Sequence, residues 1–159
     1  MTVKTKMIKD FAQIGFDRLG SATKNLKPEQ LDWKSCTQAN TIRWILTHLS
    51  EELNVYTLKF LGEDPPKAWP KDYVGNEKYK MEKIMADIDK GHRKLNAGLN
   101  KLTNEKLVET VDGWAGKKPR EFYLMLMVSE IVHHKGQIAY IRGTVKRFKA
   151  KDPNFLNAC

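Results

Sequence analysis

Residues 129–140, SEIVHHKGQIAY, place two adjacent histidines in a largely apolar segment of a chain that has four histidines in all. Glu130 precedes His134 by four residues, so on an α-helix the two side chains lie about 40° apart on one face. His133 lies about 60° from Glu130 on its other side, so Glu130 can share a ligand with either histidine, whereas the histidines diverge. Imidazole and carboxylate groups bind zinc, nickel, iron and manganese, so this segment indicates a divalent-metal site.

A third ligand comes from His48, at the edge of the apolar stripe of another predicted helix. Side chains from facing helices form metal sites in helical bundles. We therefore predict that His48, Glu130 and His134 bind one divalent ion. Three protein ligands leave a coordination position open, as in catalytic sites. On the residues alone, the alternative is a buried histidine pair satisfied by backbone carbonyls and by Glu130.

Two residues near His48 have two interpretations each. Glu52, one helical turn later, is either an acceptor that orients the His48 imidazole or an exposed glutamate. Trp44, one turn earlier, either lines a pocket or packs in the core. Neither is included in the predicted ligand set.

Three further residues are assigned by their position on the predicted helices. Gln137 lies on the same broad face as Glu130, where it either hydrogen-bonds a ligand or faces the partner helix. Gly136 is predicted to allow close helix approach. His92 is predicted to be a packed histidine at the core or its rim, outside the ligand set.

Four long helical segments must position these side chains. They cover about residues 4–24, from Asn40 or Thr41 to near Gly62, about 76–102, and from after Pro119 to about Arg142 with Gly143 as C-cap. In the second, the predicted apolar stripe consists of Ile42, Ile45, Leu46, Leu49, Leu53 and Tyr56. The fourth is apolar on nearly every side and is predicted to be central and buried.

The remaining pattern supports an all-α fold, most simply a four-helix bundle. No alternating strand pattern of useful length occurs, and Gly113 and Gly116 favour an irregular connection before the fourth helix. The length of 159 residues predicts a single domain over residues 1–159. The sequence contains neither a transmembrane run nor a signal-peptide pattern, so we expect a cytoplasmic protein without membrane contact.

Composition narrows the function classes. The two cysteines, Cys36 and Cys159, form neither a CxxC pair nor a disulfide framework, and we expect reduced thiols. The net charge of +9 would suit nucleic acid, but the lysines are scattered, so we expect a solvated basic surface and no nucleic-acid partner. Such a surface could still attract anionic small molecules.

The chain resembles the DinB family, including the related YfiT-like thiol transferases. LKPEQLDWK followed by NTIRWILTHLSEEL resembles the first interhelical loop and metal-bearing second helix of that family, and HHKGQIAYIRG resembles its fourth-helix motif. LTNEKL before the last helix also fits. The order and spacing of these motifs extend the resemblance over nearly the whole chain.

The resemblance implies a four-helix bundle, often dimeric, with a divalent ion on one histidine of the second helix and two of the fourth. His48 and His134 match two of these positions, whereas Glu130 stands at the third and departs from the three-histidine pattern. His133 then becomes the non-ligating neighbour. Carboxylate coordination gives a His–Glu–His set, and loss of the metal is the alternative.

The same resemblance implies a homodimeric, metal-dependent enzyme, a thiol transferase or a hydrolase. Its substrate would be a small molecule, with a low-molecular-weight thiol transferred to an electrophilic carbon, and its ion would be zinc, nickel or iron. Two other functions stay open: a non-catalytic metal-binding stress protein, and a basic nucleic-acid-binding module.

Overall fold

The computed structural model describes residues 1–152 of the protein, and most of them are helical. Cys159 therefore lies outside the described residues, whereas Cys36 is an exposed free thiol. The helices are α1 (Val3–Thr23), α2 (Pro28–Leu31), α3 (Ile42–Glu51), α4 (Thr57–Leu61), α5 (Met81–Lys101), α6 (Asn104–Val108) and α7 (Arg120–Lys151). A π-helical segment (Glu52–Tyr56) joins α3 to α4, and two short strands, β1 (Thr110–Gly113) and β2 (Gly116–Pro119), precede α7.

The ends of the predicted second helix are confirmed. Thr41 caps α3, since its hydroxyl accepts a hydrogen bond from the Trp44 backbone N–H at 3.0 Å. At the other end, Gly62 follows α4 with a φ of 77°, the left-handed conformation that glycine adopts without strain. These two residues fix the length of the stretch that carries His48.

The middle of this stretch differs from the predicted continuous α-helix. The π-helical segment has a wider turn, and the Thr57 hydroxyl donates to the Glu52 carbonyl at 2.9 Å. The extra residue shifts every later side chain around the helix axis. Tyr56, predicted in the apolar stripe, is therefore 47% exposed, and Thr57 and Leu58 are buried in its place.

The last helix is longer than predicted. Gly143 does not end it, because its backbone stays helical and α7 continues to Lys151. A glycine inside a helix costs only about 1 kcal/mol relative to alanine, which does not by itself stop a helix. The residue before α7 is Pro119, as the sequence predicted.

The connection before α7 is a β-hairpin and not the predicted irregular loop. β1 and β2 pair antiparallel with Gly113 opposite Gly116. Gly116 adopts a positive φ of 78°, and a Cβ on Gly113 would lie 2.5 Å from the Tyr123 ring. The two glycines that argued against regular structure are thus the residues that allow the hairpin to turn and to pack on α7.

The core lies between the long helices. α7 packs against α1 and α3, and α3 also packs against α5, so the predicted adjacency of the second and fourth helical segments is confirmed. The predicted burial of the fourth helix does not hold near the start of α7, because Phe122 and Met125 are exposed. Within residues 1–152, no helix is long and apolar enough to cross a membrane.

Candidate metal centre

Two histidines on neighbouring helices face each other across one carboxylate. The rings of His48 on α3 and His134 on α7 have centroids 5.2 Å apart and are nearly perpendicular. Glu52 lies between them, with Oε1 3.4 Å from His48 Nε2 and Oε2 3.5 Å from His134 Nε2. One ligand atom from each of the three residues lies within 4.8 Å of the other two. We call these three residues the His–Glu–His cluster.

The local helix geometry explains how His48 and Glu52 come together. The two residues are four apart, so their side chains lie one above the other on the same face. Glu52 is also the first residue of the π-helical segment. Single π-helical turns within α-helices occur frequently at functional sites.

The cluster favours ionised Glu52. Burial by itself would raise the Glu52 pKa, but the neighbouring imidazoles of His134 and His48 outweigh burial and lower the pKa to about 2. Burial likewise would lower the pKa of His134, but the interactions with Glu52, Gln137 and Glu130 raise it above its ordinary value. A carboxylate that is charged at neutral pH is in the form that binds a metal ion.

Two buried atoms at the centre of the cluster support metal binding. Within the described part of the chain, His134 Nε2 and Glu52 Oε2 have no hydrogen-bond partner, although both are shielded from solvent. Buried polar atoms without partners are rare and call for an explanation such as an ion. A divalent cation would satisfy both atoms, so the donor set fits such an ion.

Gln137 fixes the orientation of the His134 ring. Its Oε1 lies 2.9 Å from His134 Nδ1, and its Nε2 lies 3.1 Å from His133 Nε2. Both contacts are satisfied when His134 Nδ1–H donates to Gln137 and the Gln137 amide donates to His133. In this tautomer His134 Nε2 carries a free lone pair that points toward Glu52, as metal coordination requires.

Trp44 restricts the other histidine. Its indole stacks on the His48 ring at a centroid distance of 4.9 Å. The Gly75 backbone N–H donates to the Thr47 hydroxyl at 2.8 Å, and a Cβ on Gly75 would lie 3.0 Å from the Trp44 ring. Trp44 therefore both packs against the loop of residues 62–80 and positions His48.

Glu130, the carboxylate predicted from the sequence, lies next to the cluster. Its Oε2 is 3.7 Å from His134 Nε2, and its side chain is 29% exposed. It does not belong to the group whose atoms mutually approach within 4.8 Å. The structure thus brings His48 and His134 together as predicted, and places Glu52 between them. The assignment of Glu130 as a ligand stays a prediction.

The structure also tests the sequence predictions for three residues outside the predicted ligand set. The interpretation of Glu52 as an exposed glutamate is wrong, because its side chain is only 14% exposed. Gly136 does not mediate close helix approach, since a Cβ there would meet nothing within 4 Å. His92 is a packed histidine, as predicted, and its ring stacks on Phe16 at 3.8 Å.

An open groove of about 540 Å³ lies beside the cluster. Gln137 and His133 form part of its wall, and Tyr140, Ser35 and Asn40 add further polar groups. Gln137 contacts both this groove and His134, so the groove begins one side chain away from the candidate ligands.

Comparisons with known proteins agree with this fold. Residues 13–138 match the sequence model of the DinB superfamily. No curated protein matches the sequence. Among solved structures, the crystal structure of a conserved protein from Enterococcus faecalis is similar, with a TM-score of 0.72 and 15% sequence identity over 89% of this chain and 96% of that chain. At this identity the structural similarity concerns the fold alone.

Proposed function

Because this chain belongs to the DinB superfamily and carries the His–Glu–His cluster, we propose that His48, Glu52 and His134 bind one divalent metal ion. The observation that carries this proposal is the convergence of two buried, unpartnered atoms, His134 Nε2 and Glu52 Oε2, within the described residues. Two imidazoles and one carboxylate suit zinc, nickel or iron.

The proposed reaction is the transfer of a low-molecular-weight thiol to an electrophilic carbon of a small molecule. A bound divalent ion would supply Lewis acidity, which lowers the pKa of a thiol and favours the thiolate. Gln137 would hold the His134 tautomer, and Trp44 would hold the His48 ring. The thiol proton would pass to solvent, the thiolate sulfur would form a bond to the carbon, and the leaving group would depart with the electron pair of the broken bond.

The groove beside the cluster is the proposed position of the electrophilic substrate. Its wall offers the hydroxyls of Ser35 and Tyr140 and the amide of Asn40, which can orient a polar small molecule by hydrogen bonds. His133 also borders the groove, and its Nε2 accepts from Gln137. A substrate there would be separated from the His134 ring by the Gln137 side chain.

The position of Glu130 favours a second candidate function, non-catalytic metal binding. Its Oε2 is 3.7 Å from His134 Nε2, close enough for a small side-chain movement to add a fourth protein ligand. Four protein ligands close a tetrahedral shell, which is typical of structural sites, whereas three leave room for a substrate.

Metal analysis of purified variants tests the two ligand sets. We expect one ion per chain in the wild type, and loss of that ion in His48→Ala. Glu52→Gln should weaken the metal affinity by about 100-fold, because it removes a charged ligand, whereas Glu130→Gln should weaken it by less than about tenfold. Metal occupancy should also fall in acid as the histidines become protonated.

If Glu130→Gln weakens the metal affinity more than Glu52→Gln does, the ligand is Glu130, as the sequence predicted. In that case Glu130→His should retain or strengthen binding. Equal and large losses in both variants would favour the closed four-ligand site. Full metal retention in His48→Ala would contradict the proposed centre in either form.

The proposal also includes the finer features expected from the sequence. These are a four-helix bundle arrangement, a cytoplasmic location and a homodimer.

A further inference from the structure

A second cavity, separate from the groove beside the metal centre, lies between α5 and the loop of residues 62–80. It has a volume of about 290 Å³. Lys83, Lys90 and Lys94 line it from α5, and Trp69 lines it from the loop. Asn54, on the π-helical segment, completes the wall. None of these residues takes part in the His–Glu–His cluster.

The positive charge in this cavity is only partly neutralised. Lys83 Nζ lies 2.5 Å from the carboxylate of Asp87, the one acidic residue of the lining. The Tyr73 hydroxyl also donates to Asp87, at 2.6 Å. Asp87 is thus fully engaged. Within residues 1–152, Lys90 and Lys94 have no ion-pair partner within 4 Å.

Lys90 and Lys94 form a like-charge pair. They are four residues apart on α5 and lie on one face, an arrangement that destabilises a helix when nothing neutralises it. Lys94 is half-buried, and burial together with the charge of Lys90 lowers its pKa, although the charge of Glu63 acts in the opposite direction. An anion between the two ammonium groups would remove this repulsion and the cost of burial.

The wall also carries hydrogen-bonding groups without partners. Asn54 is completely buried, and its Nδ2 donates to the Ser50 and Asp87 carbonyls at 2.9 and 2.8 Å. Its Oδ1 has no partner among the described residues, and neither has the indole N–H of Trp69. Of these two groups only the Trp69 N–H, a donor, matches an anionic ligand, because Asn54 Oδ1 is an acceptor.

The loop side of the cavity is formed by two prolines and an aromatic ring. Pro66 and Pro70 flank Trp69, whose ring packs on Tyr73 at a centroid distance of 4.7 Å. Prolines restrict the backbone, and an indole offers a broad apolar surface for a planar group. The cavity volume is at the small end of the range for small-molecule sites.

From this arrangement we propose that the cavity binds a small organic anion, a carboxylate or phosphate group on a flat unsaturated body. The anion contacts Lys90 and Lys94, and the flat body packs against Trp69. Binding at this cavity does not depend on a metal ion, so this proposal can be tested independently of the proposed metal centre.

Calorimetric titration of the full chain, treated with a chelator to remove metal, tests the proposal. The probes are benzoate and phenyl phosphate, with benzamide as the neutral control of the same shape and inorganic phosphate as the control without a ring. We expect at least one of the two aromatic anions to bind, and benzamide and inorganic phosphate to bind at least about tenfold more weakly. The stronger aromatic anion identifies the anionic group.

A pair of matched double variants locates the binding. Lys90→Gln with Lys94→Gln should weaken binding at least about tenfold, because charged hydrogen bonds are lost. Lys146→Gln with Lys149→Gln removes the same charge from α7 and should leave the affinity unchanged. Trp69→Leu should remove the preference for the stronger aromatic anion over inorganic phosphate. Circular dichroism verifies that each variant is folded.

Three results would overturn the proposal. The first is that neither aromatic anion binds the chelated wild type. The second is that both double variants lose affinity equally, which would indicate a diffuse effect of net charge. The third is that inorganic phosphate binds as tightly as the stronger aromatic anion, which contradicts a flat ligand against Trp69. The His48→Ala variant should bind the anion as the wild type does, so failure of the metal centre leaves this result intact.

Discussion

At the scale of single residues, the choice between two glutamates decides what the centre is. Glu52 and Glu130 both lie four residues from a histidine, and both have an oxygen near His134 Nε2, at 3.5 and 3.7 Å. Glu52 also reaches His48, whereas Glu130 does not belong to the cluster. Bridging both histidines makes Glu52 the stronger candidate ligand.

Gln137 provides the residue-scale prediction. Replacing it with leucine removes the acceptor for His134 Nδ1–H, so the imidazole can rotate or change tautomer. We expect Gln137→Leu to weaken metal binding by about 10- to 100-fold, the usual effect of losing a group that orients a ligand. Competition with a chromogenic chelator measures this affinity.

Gln137→Glu is the matched variant, because its carboxylate still accepts from His134 Nδ1–H. It should keep the metal affinity within about tenfold of the wild type. Equal losses in the two variants would show that the position acts by packing and not by holding the tautomer.

The sequence was sufficient for part of this site. The periodicity of two segments placed His48 and His134 on facing helices, and the structure has them there. Glu52 was recognised only as a neighbour of His48, because side-chain spacing within one helix cannot tell which carboxylate the partner helix approaches. That depends on how α3 and α7 cross, which is a property of the packed core.

At the scale of elements, the sequence predicted helices well and their interruptions poorly. Capping by Thr41 and Gly62 depends on local chemistry and could be read directly. The π-helical segment could not be predicted from the sequence, since its wide turn is rare and is stabilised by tertiary packing. Gly91 is part of that packing, because a Cβ there would lie 2.5 Å from Leu53 Cβ.

His92, on α5 against α1, gives a prediction about pH and stability. Burial lowers its pKa below the ordinary 6.5, so protonation is easier in the unfolded chain. The stabilisation that depends on neutral His92 is therefore present above about pH 6.5 and is lost as the pH falls toward the folded-state pKa. His92→Phe should remove this dependence while keeping the stacking on Phe16.

Urea unfolding of chelated wild type and His92→Phe at pH 7.5 and pH 5.5 measures the effect. The free energy of unfolding should fall more in the wild type than in the variant between pH 7.5 and pH 5.5, because only the wild type loses the contribution of neutral His92. The rest of the chain is the same in both proteins, so its pH effects cancel in the difference. A difference that does not change with pH would show that His92 is protonated equally in both states.

At the scale of the whole molecule, charged side chains are dispersed, whereas some exposed apolar side chains are clustered. The net charge of +9 is spread over the chain, whereas the exposed apolar side chains of α1 and the start of α7 lie together. Met7, Phe122 and Met125 line a groove there, and each is more than 40% exposed, at 66%, 41% and 43%. Contiguous exposed apolar surface is typical of protein interaction sites.

This apolar groove makes the predicted homodimer testable. If a second copy covers it, Met125→Lys places an ammonium group in an apolar interface and should convert the dimer to a monomer at micromolar concentration. Tyr56→Lys is the matched control, because Tyr56 is similarly exposed, at 47%, but lies outside the groove. Sedimentation velocity of the wild type and both variants should give dimer, monomer and dimer, in that order. A monomeric wild type would contradict the predicted homodimer. A dimeric Met125→Lys variant would place the interface elsewhere on the molecule, because burying an unpaired lysine in an apolar interface costs enough free energy to dissociate the dimer.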